Sequence, residues 1–448
     1  MKQTTKSPLL PDWLRSLLLA VLAFVLISMP VHAFVSTWGG TSIGPLWLWK
    51  SWKDLLLAIV GLVVLVYALW KREFREALLR DRLVWTVLAL VVLVLVSGGV
   101  YRGVNGQNAT FAGVAMDVRY LLGAAVAYVV MRFGTRVRFV QWRRYVVGVG
   151  VGLAVLGALQ VFVLPLEFLS SFGYDKHVTI APYTLIDDNP NAPRAFATLS
   201  GPNDYGAFLL LPLVLAVIAA RKRPLAWLAV LAIAGGVYLS GSRSAWLGAL
   251  VALGIYLFAE SKRRFTPGTL WKFAVMGVVA FGCVVSLALV IPAVRLQVFH
   301  SSPGDSSLAE GSTDAHWQAT LAGLKRVATQ PLGCGPGCAG PASFYGPTPK
   351  ISENYYVQLA EEYGVVGLGL WVWLVVVVVR RLWDDRSRTL SVVLLASFAG
   401  LSVIGLWLHV WADDPVSLTW WILAGSVLGY NESRQWKKSK NTSRLKTS

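Results

Sequence analysis

Residues 331–341 read Pro331-Leu-Gly-Cys-Gly-Pro-Gly-Cys-Ala-Gly-Pro341. Glycine and proline at this density break regular secondary structure. The stretch lies inside residues 293–354, the longest interval of the chain without an apolar run of membrane length. That interval also holds His300, His316, Cys334 and Cys338. It opens after the apolar segment 273–292 and closes where Tyr355–Arg380 turns apolar again. A loop of this length between two spans is usually functional. The apolar remainder reads as the scaffold that holds the loop over something arriving in or on the lipid.

The flanks decide the fold class. Of the 448 residues, 56% are hydrophobic and only 14% charged, and mean hydropathy is +0.59. A spanning helix needs about 20 apolar residues. Candidate spans fall at 13–34, 53–70, 83–99, 113–131, 145–164, 205–220, 224–240, 245–259, 273–292, 363–379, 389–409 and 416–430. Only helices and closed barrels satisfy the backbone in lipid, and these runs lack the period-two alternation of barrel strands. The chain therefore reads as an all-α polytopic membrane protein. It has about twelve transmembrane helices in a single integral domain over 1–448, and its large external loop, 293–354, joins spans nine and ten.

Charge sets the expected orientation. Lysine and arginine cluster at 71–82, 132–144, 221–223, 260–272, 380–388 and 434–446. Short basic loops stay cytoplasmic, so twelve spans place both termini inside. This topology accounts for most of the net charge of +18 and removes the need for a nucleic-acid partner. The basic tail 434–446 is either solvated or in contact with anionic membrane lipid. Ser16–Pro30 followed by Val31-His-Ala33 has the outline of a signal peptide, but its apolar stretch is long and we expect an uncleaved first span.

Several external segments carry candidate chemistry. Residues 35–52 read as a loop ending in an aromatic interfacial belt, Leu46-Trp-Leu-Trp-Lys-Ser-Trp52. Asp117 and Arg119 fall within the outer part of span four, where a charge costs about 2.5–3.5 kcal/mol on insertion scales. They are expected either to pair with each other and snorkel, or to line a lipid-phosphate site. In the loop 165–204, Arg194 offers a fork that matches phosphate oxygens, or pairs with Asp187 or Asp188. Ser200-Gly-Pro-Asn203 then breaks the chain before span six. Tyr238-Leu-Ser-Gly-Ser-Arg243 makes a tight turn between spans seven and eight. Its small residues let an anion reach the positive end of the helix that follows, unless Arg243 is simply an interfacial anchor.

Within the long loop, Ser312 reads as the cap of a helix running to about residue 329, with an apolar stripe at Trp317, Leu321 and Leu324. A second helix is expected from Ser352 as N-cap, with Glu353 in its first turn and a break at Gly364. Glu353, Val357 and Glu361 would then share a face. The ring that a Cys334–Cys338 disulfide would close is small, which argues against it. The five histidines show no metal-ligand spacing, so no metal and no other cofactor is expected.

Taken in order, these motifs resemble the O-antigen ligase and O-antigen polymerase superfamily over roughly residues 190–380. They are Arg194 through Pro202-Asn203, Ser242-Arg243-Ser-Ala-Trp-Leu247, the His/Trp pair followed by Pro331-Leu-Gly-Cys-Gly, and Glu353-Asn354 ending in Gly364. The resemblance implies a GT-C-type glycosyltransferase of the bacterial inner membrane. Such an enzyme transfers a glycan from a polyprenyl-pyrophosphate carrier to a lipid or glycan acceptor on the outer side, without a nucleotide sugar. The family's two functional arginines map onto Arg194 and Arg243, the second opening an Arg-x-x-x-Leu pattern that ends at Leu247. Asn203, Asn354 and Arg119 are accessory candidates. One departure stands out: the ligases' functional histidine, counted back from Gly364, is here Glu353. An unperturbed carboxylate is a weaker base than imidazole, so His316 is the second candidate for the base. The same motifs fit a polymerase whose acceptor is another lipid-linked repeat. A twelve-helix transporter or flippase would show related halves, and none is evident. A non-catalytic assembly protein draws its support only from the histidine replaced by Glu353.

Overall fold

The computed structural model describes residues 9–133, 139–186, 188–261, 307–386 and 388–445. Helix α1 (Asp12–Ser28) passes through a 3₁₀ turn at Met29–Val31 into α2 (His32–Ser42). Pro30 explains the turn, because it has no N–H to continue the α ladder. Next come α3 (Leu46–Trp70), α4 (Arg72–Leu79), α5 (Arg82–Asn105), α6 (Gln107–Phe133) and α7 (Phe139–Phe162). A small antiparallel hairpin follows, β1 (Leu185–Ile186) with β2 (Asn189–Pro193). The chain then runs through α8 (Pro202–Phe208), α9 (Leu210–Ala220), α10 (Ala226–Leu239) and α11 (Arg243–Ser261). The remaining helices are α12 (Ser307–Thr329), α13 (Tyr355–Asp384), α14 (Thr389–Ile404) and α15 (Asp414–Leu445).

Eight helical stretches among the described residues are long and apolar enough to cross a membrane, and α10 and α14 are shorter apolar helices. Eleven of the twelve apolar segments read from the sequence fall on helices; the twelfth, 273–292, lies outside the described residues. The protein is an all-α, multi-pass membrane protein. Its most extensive packing joins α6 to α15. A Cβ on Gly425 would sit 2.2 Å from the Ala124 carbonyl oxygen, and one on Gly429 equally close to that of Tyr128. Small residues one turn apart thus let two backbones touch, which is how membrane helices gain packing without a hydrophobic drive between them. Trp411, Trp420 and Trp421 fill the core above this seam.

The elements alternate between two ends. At one end lie the basic turns after α3, α9 and α13. There Arg381 reaches Asp81 at 2.9 Å, and Arg132 and Tyr128 meet the same carboxylate. At the other end lie the loops with the candidate chemistry. Single cysteines at Thr348 (loop end) and Lys222 (basic end) test the membrane orientation. A membrane-impermeant thiol reagent applied to cells opened only at the outer membrane is expected to label Thr348→Cys and spare Lys222→Cys. The reverse pattern contradicts the charge-derived topology.

Four local expectations change. Residues 35–52 are not an open loop: α2 runs to Ser42 and α3 starts at Leu46. The helix of the long loop is already formed at Ser307, ahead of Ser312. Asn354, not Ser352, caps α13, its Oδ1 accepting from the N–H groups of Tyr356 and Val357 at 3.0 and 3.1 Å. Glu353 therefore precedes the helix rather than sharing a face with Val357 and Glu361. Asp117 and Arg119 do not pair with each other: Asp117 accepts from the Tyr363 hydroxyl, whereas Arg119 joins Asp54 and Asp414.

Candidate active site

The two arginines are brought together by a short piece of backbone. Arg194 leaves β2 with its N–H bonded to the Thr184 carbonyl at 2.8 Å, and Ala195 N–H bonds the Leu239 carbonyl at 2.9 Å. The Arg194 side chain then lies along the turn between α10 and α11. Its Nε donates to Ser240 O at 2.9 Å and its Nη2 to Asn203 Oδ1 at 3.0 Å. Gly241 makes this possible. Its φ is +58°, and a Cβ there would stand 3.1 Å from Arg194 Nε, so a side chain at 241 would be strained and would press on the guanidinium. Burial first and the neighbouring Arg243 second hold the Arg194 guanidinium down at about 10, still charged at neutral pH. Among the described residues no carboxylate, Asp188 included, pairs with Arg194, and its hydrogen bonds there are to neutral oxygens; Asp187, the other expected partner, lies outside the described residues. Arg243 is the first residue of α11, where the helix dipole is positive. Arg194 and Arg243 are thus neighbours at a helix start, beside Ser242 and Ser244.

The glycine-rich stretch braces a broken helix. Gly364 interrupts α13 with φ +65° and ψ −172°. A Cβ there would lie 2.3 Å from the Pro331 carbonyl oxygen. The break strands carbonyls of the first half-helix, and the loop supplies donors: Cys334 N–H to Glu361 O and Gly335 N–H to Glu362 O, both at 2.8 Å. Asn105 at the end of α5 holds the loop from its other side, donating to Cys334 O at 2.7 Å. Contrary to the sequence expectation, Cys334 and Cys338 are joined, with Cα atoms 5.9 Å apart. Closing a ring this small removes about 2 kcal/mol of unfolded-state freedom. Cys334→Ser with Cys338→Ser is expected to lower thermal stability by that order, measured as the melting temperature in detergent. An unchanged melting temperature contradicts the bracing role.

The third component gathers on the half-helix Tyr355–Tyr363. Helix α12 packs against it, with Thr320 Oγ1 donating to Ser352 O at 3.0 Å and Arg326 paired with the buried Glu361. This places His316 Nδ1 3.2 Å from Glu353 Oε2, so the two acid–base candidates are neighbours rather than alternatives. That contact holds the Glu353 carboxyl below its usual range against the opposing pull of burial. Glu353 has φ +53°, a left-handed conformation that costs a residue with a Cβ about 1–3 kcal/mol. Strain persisting at a carboxylate beside an imidazole points to a role for that geometry. The segment 405–413 closes the group. Asn354 Nδ2 donates to Leu406 O, Tyr355 N–H bonds Gly405 O, and His409 reaches Gln358 at 2.7 Å.

Helix α11 packs antiparallel on α14, with Gly248 against Gly400 and Ile404. Five residues beyond that contact on either side stand Arg243 and His409. The arginine turn and the Glu353 cluster therefore share one end of the bundle. Arg119 works beneath them. It donates to Ala412 O at 2.6 Å and pairs with Asp414, which also binds Lys53 at 2.6 Å. Two cations and the carboxylates of Asp54 and Asp414 balance there, so Arg119 anchors the 405–413 segment rather than waiting for phosphate.

The family model described as O-antigen ligase matches residues 227–372. This region is similar to the O-antigen ligase family. The match spans Arg243, His316, Glu353, Asn354 and the Gly364 break, while Arg194, Asn203 and His409 lie outside it. No curated protein matches the chain. Arg194 and Asn203 reach the matched region from an earlier loop, and the segment 405–413 reaches the Glu353 cluster from a later one. His409 is the residue that sequence reasoning missed. It sits at the edge of an apolar run, and its only signal was being an ionisable residue at a span end.

Proposed function

We propose that the protein transfers a glycan from a polyprenyl-pyrophosphate carrier to a lipid or glycan acceptor at the outer face of the bacterial inner membrane, with both termini in the cytoplasm. The observation that carries this reading is the juxtaposition of Arg194 and Arg243 at the start of α11, with no carboxylate neutralising Arg194 among the described residues. A pyrophosphate leaving group gains negative charge as its bond to the sugar breaks. Guanidinium forks and a helix N-terminus already fixed in place stabilise that charge most in the transition state. Asn203 orients Arg194, and Gly241 lets it approach the turn. The acceptor's proton leaves on the Glu353 side of the site, where His316 and Glu353 form an acid–base pair. Asn354 caps the half-helix that carries the pair. The arginines supply the positive charge, so the step calls for no metal ion.

Ligase and polymerase differ in the acceptor, and the ligase reading rests on the family match. The purified protein in lipid nanodiscs, given a polyprenyl-pyrophosphate oligosaccharide and either a lipid A–core acceptor or a second lipid-linked repeat, is expected to release polyprenyl pyrophosphate and extend the lipid A–core. Extension of the lipid-linked repeat alone reassigns it as a polymerase. Transfer to neither removes the reading.

A further inference from the structure

The transfer proposed above leaves one half-buried imidazole unused. His409 lies in the segment between α14 and α15, and its Nδ1 is 2.7 Å from Gln358 Oε1. Gln358 is buried, and its amide nitrogen faces Glu362 Oε2 at 3.3 Å. The other Glu362 oxygen accepts the Gly337 N–H at 2.8 Å. The Gln358 amide thus has its nitrogen toward Glu362 and its oxygen toward His409. An amide oxygen only accepts, so the ring proton is on Nδ1 and the lone pair is on Nε2. Nε2 is shut off from solvent and has no hydrogen-bond partner among the described residues. A ring nitrogen that is oriented, deprotonated and unpartnered is the arrangement a general base requires.

We propose that His409 Nε2 receives the proton of the acceptor hydroxyl, with Gln358 and Glu362 as positioning residues; this rests on the transfer reaction proposed above. The acceptor O–H bond breaks as its oxygen forms the glycosidic bond to the anomeric carbon. The bond from that carbon to the carrier phosphate breaks, and its electron pair leaves on polyprenyl pyrophosphate. Burial keeps the His409 imidazole down at about 4, so it enters the cycle neutral. The groups facing it are Glu353 and His316. The Glu353 carboxylate stabilises the imidazolium as it forms, and a bound pyrophosphate adds to that effect, while a protonated His316 would oppose it. Glu353 and His316 keep side-chain exposures of 30% and 36%, so the proton has a way from His409 to water. Gln358 thus does for His409 what the third member of a catalytic triad does for its histidine: it fixes tautomer and direction.

The test compares wild type, His409→Asn and His409→Ala in the nanodisc transfer assay, with donor binding and melting temperature measured on the same preparations. Asn keeps an N–H donor for Gln358 but has no Nε2. We expect His409→Asn to fold and bind donor like wild type while turnover falls about 10²–10⁴-fold, the range for loss of a general base. His409→Ala is expected to lose as much and to recover activity when imidazole is added, a rescue that a structural role does not give. Near-wild-type turnover in His409→Asn, or a loss in His409→Ala that imidazole leaves unchanged, overturns the assignment. A wild type that transfers nothing from the pyrophosphate donor strikes the reaction itself and this role with it. An active wild type with an active His409→Asn strikes only the role of His409.

Discussion

Arg243→Lys is expected to lose most of the transfer activity, and Arg243→Ala to lose about 10²–10³-fold, the usual effect of removing one donor from a charge-stabilising site. The argument is geometric. Arg194 is committed at Nε to a carbonyl and at Nη2 to Asn203, so it meets a ligand along a fixed direction. Arg243 opens α11, and in the proposed site its fork and the helix N-terminus would act on the same oxygens. A lysine keeps the charge as a point and loses the bidentate match. Initial rates of polyprenyl-pyrophosphate release, normalised to folded protein, measure it. Wild-type rates in both variants would reduce Arg243 to an interfacial anchor.

Glu353→Gln is the second large expected loss, about 10²–10⁴ in turnover, because it removes the carboxylate from the acid–base pair. Donor binding is expected to stay near wild type, since a carboxylate does not hold pyrophosphate. Stability is the internal control. Asn354, not Glu353, caps α13, so Glu353→Gln removes no cap and is expected to change stability by less than about 1 kcal/mol. Glu353→Asn sharpens the distinction, because Asn tolerates the left-handed backbone found at 353. It is expected to melt no lower than wild type while turning over slowly. Glu353→His restores the residue the family resemblance implies at this position and is expected to keep part of the activity. Full turnover in Glu353→Gln would leave His316 as the member of the pair that matters, with His316→Ala then carrying the loss. Full turnover in both would remove the pair and leave the arginines and His409 as the parts of the site still to be tested.

The parts legible in the sequence were those written in local spacing. The apolar runs located the helices, and the glycine after Glu353-Asn354 marked the break in α13. The Ser-Gly-Ser-Arg turn placed Arg243 at a helix start. What was hidden depends on partners far along the chain. Arg119 and Asp117 sit two apart on one helix, so they read as a mutual pair, yet Asp414 and Tyr363 claim them instead. Asn354 won the capping position from Ser352 because Ser352 Oγ is drawn to the buried Glu361 carboxylate. The cysteine ring looked too small to close, but the loop is pinned to the stranded carbonyls of α13, which brings the two cysteines together. His409 looked like the polar fringe of a span until Gln358, on a different helix, fixed its ring.

The central claim is that Arg194 and Arg243 together hold the carrier's pyrophosphate, and a structure of the protein in nanodiscs with bound polyprenyl pyrophosphate tests it most directly. The account predicts density for the two phosphates at the start of α11, within hydrogen-bonding distance of both guanidinium groups, with the lipid tail leaving into the membrane. Pyrophosphate bound elsewhere, for example at Lys53 and Arg119 with Asp414 displaced, and no phosphate near Arg243, would contradict it.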